Sequence, residues 1–218
     1  MKRTLSIALI GFTLLAACTR SAATPPTPTQ PVPTSTFALP GILPLPTSTP
    51  PLNASNICND PQVLALIDAL KSAMLTSDGE ILSSLVSPAR GMEVRYLRDG
   101  NVITYTREQA KFLFETTFEA NWGPEPGSGL DKTGAFHDVI VPDLVQIFNQ
   151  PYTLHCNELK HGGATYELLW PYEAGYYSVY FTGTEQYGFL DWNTWAIGIE
   201  YVEGKPYIYV MMQFFWEP

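Results

Sequence analysis

Two hydrophobic periods follow one another along the chain. Val63, Leu64, Leu66, Ile67, Leu70 and Met74 recur at helical spacing and predict a helix with one inward face. Asp60 stands where an N-cap would, and Pro61 takes the first helical position. Asp78-Gly79 breaks that pattern, and Ile81, Leu82, Leu85 and Val86 predict a second, short helix. It must stop at Pro88, because the residue before a proline avoids the helical region. Met92, Val94 and Tyr96 then alternate with Glu93, Arg95 and Arg98, and Asp99-Gly100 is a hairpin signal. Thr106 and Gln109 have capping-box spacing at the start of a third helix from Arg107. Phe112, Leu113 and Phe118 are the expected buried side of that helix. The stretch WGPEPGSGLDKTG reads as a long loop, and residues 142–149, opened by Pro142, as a short fourth helix.

From about Thr153 the period becomes two. TYELLW, YYSVYFTG, WAIGIEYV and YIYVMMQFF are aromatic and β-branched, as strands prefer, and EGKP at 203–206 is a turn between the last two. Residues 170–216 hold 16 of the 28 aromatic residues. Helices first and strands last predict an α+β domain, with N-terminal helices packed on one face of a C-terminal antiparallel sheet. A cystatin-like cone fits this order. A more barrel-like sheet with helices at one end is the alternative.

The start of the chain has a different pattern. Met1-Lys2-Arg3 precedes an apolar run from Leu5 to Ala17, shorter than the about 20 residues that a spanning helix needs. It matches the apolar part of a secretory signal. The run ends in Leu15-Ala16-Ala17-Cys18, which resembles the lipobox of bacterial lipoproteins. The resemblance implies a signal peptide over 1–17, cleavage before Cys18, and a diacylglycerol thioether on Cys18, whose new amino group can be acylated as well. The bilayer is then a partner, held through acyl chains, since one chain binds marginally and two or three bind durably. An ordinary secretory signal with a chance cysteine is the alternative. Residues 18–57 follow as a tether. From Thr19 to Ile57 the chain places ten of its 19 prolines among many Thr and Ser residues. Such a composition is expected to stay disordered and extended, reaching ~100 Å. Thr19 lacks the Asp cue that retains some lipoproteins at the inner membrane. The expected location is therefore extracytoplasmic, anchored to the cell membrane, or to the outer membrane where a cell has two.

Residues 58–218 remain as a single globular domain, large enough for a real core. All 21 acidic residues lie in it with nine of the 12 basic ones, so it carries about −12. That charge argues against nucleic acid and against anionic lipid head groups as partners. With Cys18 lipidated, Cys58 and Cys156 form an even pair in an oxidising compartment, and a disulfide between them would pin the domain's entry to its body. Two unrelated thiols are the other reading.

The pieces LVSPARG (85–91), NWGPEPGSG (121–129), Asp191-Trp192 and the closing IEYVEGKPYIYVMMQFFWEP occur in this order. In that order they resemble a family of uncharacterised bacterial envelope lipoproteins. The likeness covers most of 61–218, although the insert between Trp-Gly and Gly-Ser-Gly is longer here. It implies placement and a rough fold, and no activity.

Candidate chemistry is sparse. Trp122 and the Gly127-Ser128-Gly129 turn suggest a loop folded over the sheet, as a lid or as a fixed turn. Asp191 either meets a ligand hydroxyl or caps a backbone turn, with Trp192 filling the core. His155, Cys156, Glu158 and His161 are metal-ligand types, but their spacing favours no metal site, and Cys156 has the disulfide as its better use. His137-Asp138 could do acid–base work, yet no nucleophile elbow or paired-carboxylate signature accompanies it. No catalytic residue and no cofactor is assigned. The ligand-binding candidates are Trp122, His137, Tyr177, Asp191, Trp192 and Trp195. They belong to a pool with Tyr176, Tyr180 and Tyr187 that suits sugar rings or peptide side chains, though alternate strand residues point oppositely. The leading expectation is a tethered, non-catalytic domain that binds a carbohydrate, a peptide or an envelope protein. A cell-envelope hydrolase and a structural or assembly lipoprotein are the alternatives.

Overall fold

The computed structural model describes residues 54–217, with side chains from 57 onward. The expected signal peptide, the lipidation at Cys18 and nearly all of the tether lie outside the described residues. A 3-10 turn, Ala54–Asn59, leads into α1, Pro61–Thr76. Asp60 caps α1 through the Gln62 amide at 2.8 Å, and its other oxygen accepts the Tyr201 hydroxyl at 2.6 Å. One carboxylate thus starts the helix and fastens it to the sheet. Val63, Leu66, Ile67, Leu70, Ala73 and Met74 are the buried stripe. Leu64, expected inside, is exposed because it lies about 100° of helical turn from Val63, at the edge of the stripe.

Ser77 ends α1 in a left-handed conformation, and Asp78 caps α2, Gly79–Leu85. Gly79 must be glycine, since a Cβ there would fall 1.8 Å from the Lys111 carbonyl oxygen. The hairpin signal is realised: β1, Met92–Arg95, pairs antiparallel with β2, Ile103–Tyr105. The capping box at Thr106 and Gln109 is formed, but it starts only a one-turn helix, α3, Arg107–Ala110. With the helix ended, Leu113 still reaches the core while Phe112 and Phe118 stand exposed, contrary to expectation. The anticipated loop after them is instead a two-stranded hairpin of β3, Ala120–Pro124, and β4, Asp131–Gly134. Two short helices follow, α4 at Phe136–Val139 and α5 at Val141–Phe148, the latter near the boundaries expected from Pro142.

The last strands are β5, Thr153–Cys156, β6, Tyr176–Phe181, β7, Asn193–Val202, and β8, Lys205–Phe215. With β1 and β2 they form a six-stranded sheet in the order β2-β1-β8-β7-β6-β5. Every pairing is antiparallel except that of β1 with β8. The β7–β8 turn is Glu203-Gly204, both with positive φ, as a two-residue hairpin favours. The helices cover one face. Val179, Trp195, Ile197 and Met211 pack there with Ile67, Leu70, Ile147 and Phe148. Cys58 and Cys156 are joined by a disulfide that ties the entry of the domain to β5.

The other face is covered by chain that is neither helix nor strand. TYELLW was expected to be a strand, but residues 157–175 run as a strap across the sheet. Side chains along 161–174 alternate in and out, and Ala164, Leu168, Trp170, Tyr172 and Ala174 pack on Tyr176, Tyr180, Ala196, Tyr209 and Met212. A period of two therefore reports extended chain, and here the chain spends its inward residues on packing rather than on a ladder. Trp170 lies 4.5 Å from the Tyr176 ring and rests over Gly198, where a Cβ would meet the indole at 3.1 Å.

Candidate functional site

The six residues singled out in the sequence do not converge. Trp122 is fully buried on β3 and donates its indole N–H to the Gly134 carbonyl at 3.0 Å, which fastens the β3–β4 hairpin. Tyr177 faces the helices, and its hydroxyl donates to the Cys58 carbonyl at 3.3 Å. Asp191 accepts the Thr184 amide at 2.7 Å and the Thr184 hydroxyl at 2.9 Å, so it braces a turn. Burial pushes its pKa up, and those hydrogen bonds outweigh burial and hold it below the usual carboxylate value. Trp192 and Trp195 lie on opposite faces, Trp192 under the strap with its indole N–H on the Gly163 carbonyl at 2.8 Å. His137 stands on α4 with Nε2 3.4 Å from the Asp138 carboxylate, and its Nδ1 is buried without a hydrogen-bond partner among the described residues. The aromatic pool of the second face is likewise occupied, since Tyr176, Tyr180 and Trp192 lie beneath the strap.

The polar chemistry collects elsewhere, between α5 and the helix-facing side of the sheet. Gln213 is 1% exposed and stands directly opposite Trp195 across the β7–β8 ladder. Its side-chain amide donates to the Asp143 carboxylate of α5 at 3.2 Å. Asn193, two residues before Trp195 on β7, shares that face. Buried polar groups are almost always hydrogen-bonded. Yet the Trp195 indole N–H, the Gln213 amide oxygen and the Asn193 amide oxygen are all buried without a partner among the described residues. One donor and two acceptors thus lie together beside a carboxyl group.

The carboxyl group is perturbed in a consistent direction. Burial raises the pKa of Asp143 above its ordinary value, while the Gln213 hydrogen bond and the Lys132 ammonium pull it back. Tyr96 follows β1 and packs at a tilt on Phe215, with ring centres 5.9 Å apart. Burial raises its pKa first and the Asp143 charge adds to it. Lys132 of β4 lies 5.7 Å from the Tyr96 ring and 3.1 Å from Glu125. The cluster thus sets two unpaired acceptors and one unpaired donor beside a carboxyl whose pKa burial raises, within a closely packed layer.

Of these residues only Trp195 was picked from the sequence; Asp143, Asn193, Gln213, Tyr96 and Lys132 were not. The signal for one was present: Gln213 is the only amide in the apolar run YIYVMMQFF. At an inward position such a residue needs a partner, and that partner is Asp143. Nothing local marks Asp143, which sits in a helical turn seventy residues away. Among the described residues, no group of three or more His, Cys, Asp or Glu side chains gathers closely enough to hold a metal ion. Cys156 is in the disulfide, His155 lies 3.4 Å from Glu158, and His161 packs its ring on Trp192.

No protein-family model, curated protein or solved structure matches this chain.

Proposed function

We propose that this chain is a lipid-anchored extracytoplasmic binding protein, which displays an acidic α+β domain on a proline-rich tether and takes a small polar ligand at the Asp143–Gln213–Trp195 cluster. The disulfide is the structural observation that carries the export reading. Disulfides persist in oxidising compartments and are rare in the cytosol, and the Cys58–Cys156 bond agrees with a chain whose apolar start ends in Leu-Ala-Ala-Cys. Lipid on Cys18 and cleavage before it follow from that ending. The order of LVSPARG, NWGPEPGSG, Asp-Trp and the terminal hairpin supports kinship with envelope lipoproteins. The finer architecture belongs to the same proposal. The long β7–β8 pair has a register shift at Gly198/Ile199, the kind of irregularity that bends strands, and this together with helices packed on one face supports a cystatin-like cone.

Binding is favoured over hydrolysis because the cluster joins a carboxyl, an amide and an indole, with no hydroxyl or thiol nucleophile hydrogen-bonded to Asp143 among the described residues. The ligand is of the carbohydrate or short-peptide class, rich in donors and acceptors. The test is a thermal-shift screen of the full chain in detergent against wall sugars and short peptides. A ligand that binds the native state raises the melting temperature. The shift should appear for at least one such compound and vanish in Asp143→Asn. No shift from any compound would turn the reading toward a structural lipoprotein.

A further inference from the structure

One exposed feature uses none of this chemistry. The connection between β6 and β7 carries Tyr187, Phe189 and Leu190 at 59%, 51% and 47% exposure. Among the described residues, no other four-residue window shows three large apolar side chains this exposed. Contiguous exposed apolar surface marks an interaction site, whereas scattered residues such as Leu64 or Leu75 need no explanation.

The apex is also braced. Thr184 accepts the Tyr187 amide at 3.2 Å and the Phe189 amide at 2.8 Å through its carbonyl. Asp191 closes the base on the Thr184 amide and hydroxyl. Gly188 and Phe189 both have positive φ, at 61° and 62°. For glycine that is free, but for phenylalanine it is a strained conformation that the braces must maintain.

We infer that Tyr187, Phe189 and Leu190 form a bilayer-docking tip that inserts into the interface of the membrane holding the anchor. This rests on the lipid-anchor reading. That reading supplies the occupant: the 18–57 tether begins at a lipidated Cys18 and leads directly to the domain, so the bilayer stays within the tether's reach. A hydroxyl-bearing ring beside two hydrocarbon side chains has the composition of an interfacial anchor. With Glu185 on its flank and about −12 on the domain, the tip works by apolar insertion and not by charge, so zwitterionic lipid suits it best.

The test uses the full chain, purified with its own lipid and reconstituted in phosphatidylcholine vesicles. Leu190→Cys carries an environment-sensitive fluorophore, with Glu203→Cys on the β7–β8 turn as the control site. Emission from position 190 should shift to the blue and be quenched by lipids with brominated acyl chains, and emission from 203 should not. Tyr187→Ser with Phe189→Ser should reduce that quenching severalfold. Asp191→Asn should also reduce it while leaving the apolar residues in place. Unshifted emission at 190, or equal shifts at both sites, overturns the docking tip. So does a blue shift that grows with protein concentration without vesicles, which would make a second copy the occupant. Peptide mapping of the fluorophore separates the two failures, because label found on Cys18 shows an unlipidated thiol and refutes the anchor itself.

Discussion

Gln213 of β8 donates its side-chain amide to Asp143 of α5 across 3.2 Å, and this bond joins the centre of the sheet to the helix layer. It is a polar contact inside an apolar layer, and the two partners should respond differently to substitution. Gln213→Leu leaves a buried carboxylate unpaired and should cost about 1–3 kcal/mol at neutral pH. Asp143→Asn keeps a hydrogen-bonding group without the charge and should stay within about 1 kcal/mol of the parent. Denaturant midpoints of the two variants decide this. Equal losses would mean that the pair acts only through packing.

The same group has a pH signature. Burial raises the folded pKa of Asp143 above the ordinary 3.8, with Gln213 and Lys132 acting against it. The native state therefore binds this proton more tightly than the unfolded chain. Its contribution to stability is greatest at or below the ordinary value and declines as pH rises through the folded one. Asp191 has the opposite sign, since its folded pKa is depressed and its contribution is lost as pH falls below the ordinary carboxylate value. Melting temperatures of Asp143→Asn and the parent between pH 3 and pH 8, scanned in parallel, should diverge with a slope attributable to this one carboxyl.

The disulfide closes a long loop, with a sequence separation of 98. On the chain-entropy model, removing it as Cys58→Ser with Cys156→Ser should cost about 4–5 kcal/mol. Urea unfolding of the double variant, compared with the parent without and with reductant, checks the figure. The reduced parent and the variant should coincide.

The strap depends on two glycines. A Cβ on Gly198 would stand 3.1 Å from the Trp170 indole and 3.0 Å from the Tyr209 ring, and one on Gly162 would stand 2.3 Å from the Trp192 ring. Gly198→Ala should cost about 1–3 kcal/mol, the range for overpacking, by lifting Trp170. Gly162→Ala should cost more. Limited proteolysis should then cut within 157–175 before the sheet or the helices are attacked. Cleavage spread over the whole domain would show that the strap is not a separate layer.

Asp60 serves α1 and β7 together. Tyr201→Phe removes one hydrogen bond and should cost about 1 kcal/mol, while Asp60→Ala also loses the cap and should cost about 2 kcal/mol. A cycle of the two single variants and the double variant measures the coupling. Strict additivity would contradict the shared carboxylate.

Much of the fold was legible because its local signals are covalently near one another. Asp60-Pro61, the Thr106–Gln109 box, Asp99-Gly100 and Glu203-Gly204 each act within a few residues, and each appears where expected. Long-range choices were hidden. The parallel pairing of β1 with β8 joins residues more than a hundred positions apart, and no local pattern encodes it. The strap misled because residues such as Leu168 and Trp170 alternate as a strand would, while the hydrogen bonds that make a strand are absent from the side-chain pattern. The candidate site was least visible. Its residues come from α5, β7 and β8, and only Gln213 broke its local pattern. Aromatic residues drew attention in proportion to their number, yet Trp122, Trp192 and Trp195 are fully buried.

Intact mass spectrometry of the native protein, purified from membranes, tests the anchored-display account most directly. The account requires a mature chain that begins at Cys18 and carries diacylglycerol on its sulfur. A free thiol at residue 18, or a chain that still begins at Met1, would contradict it.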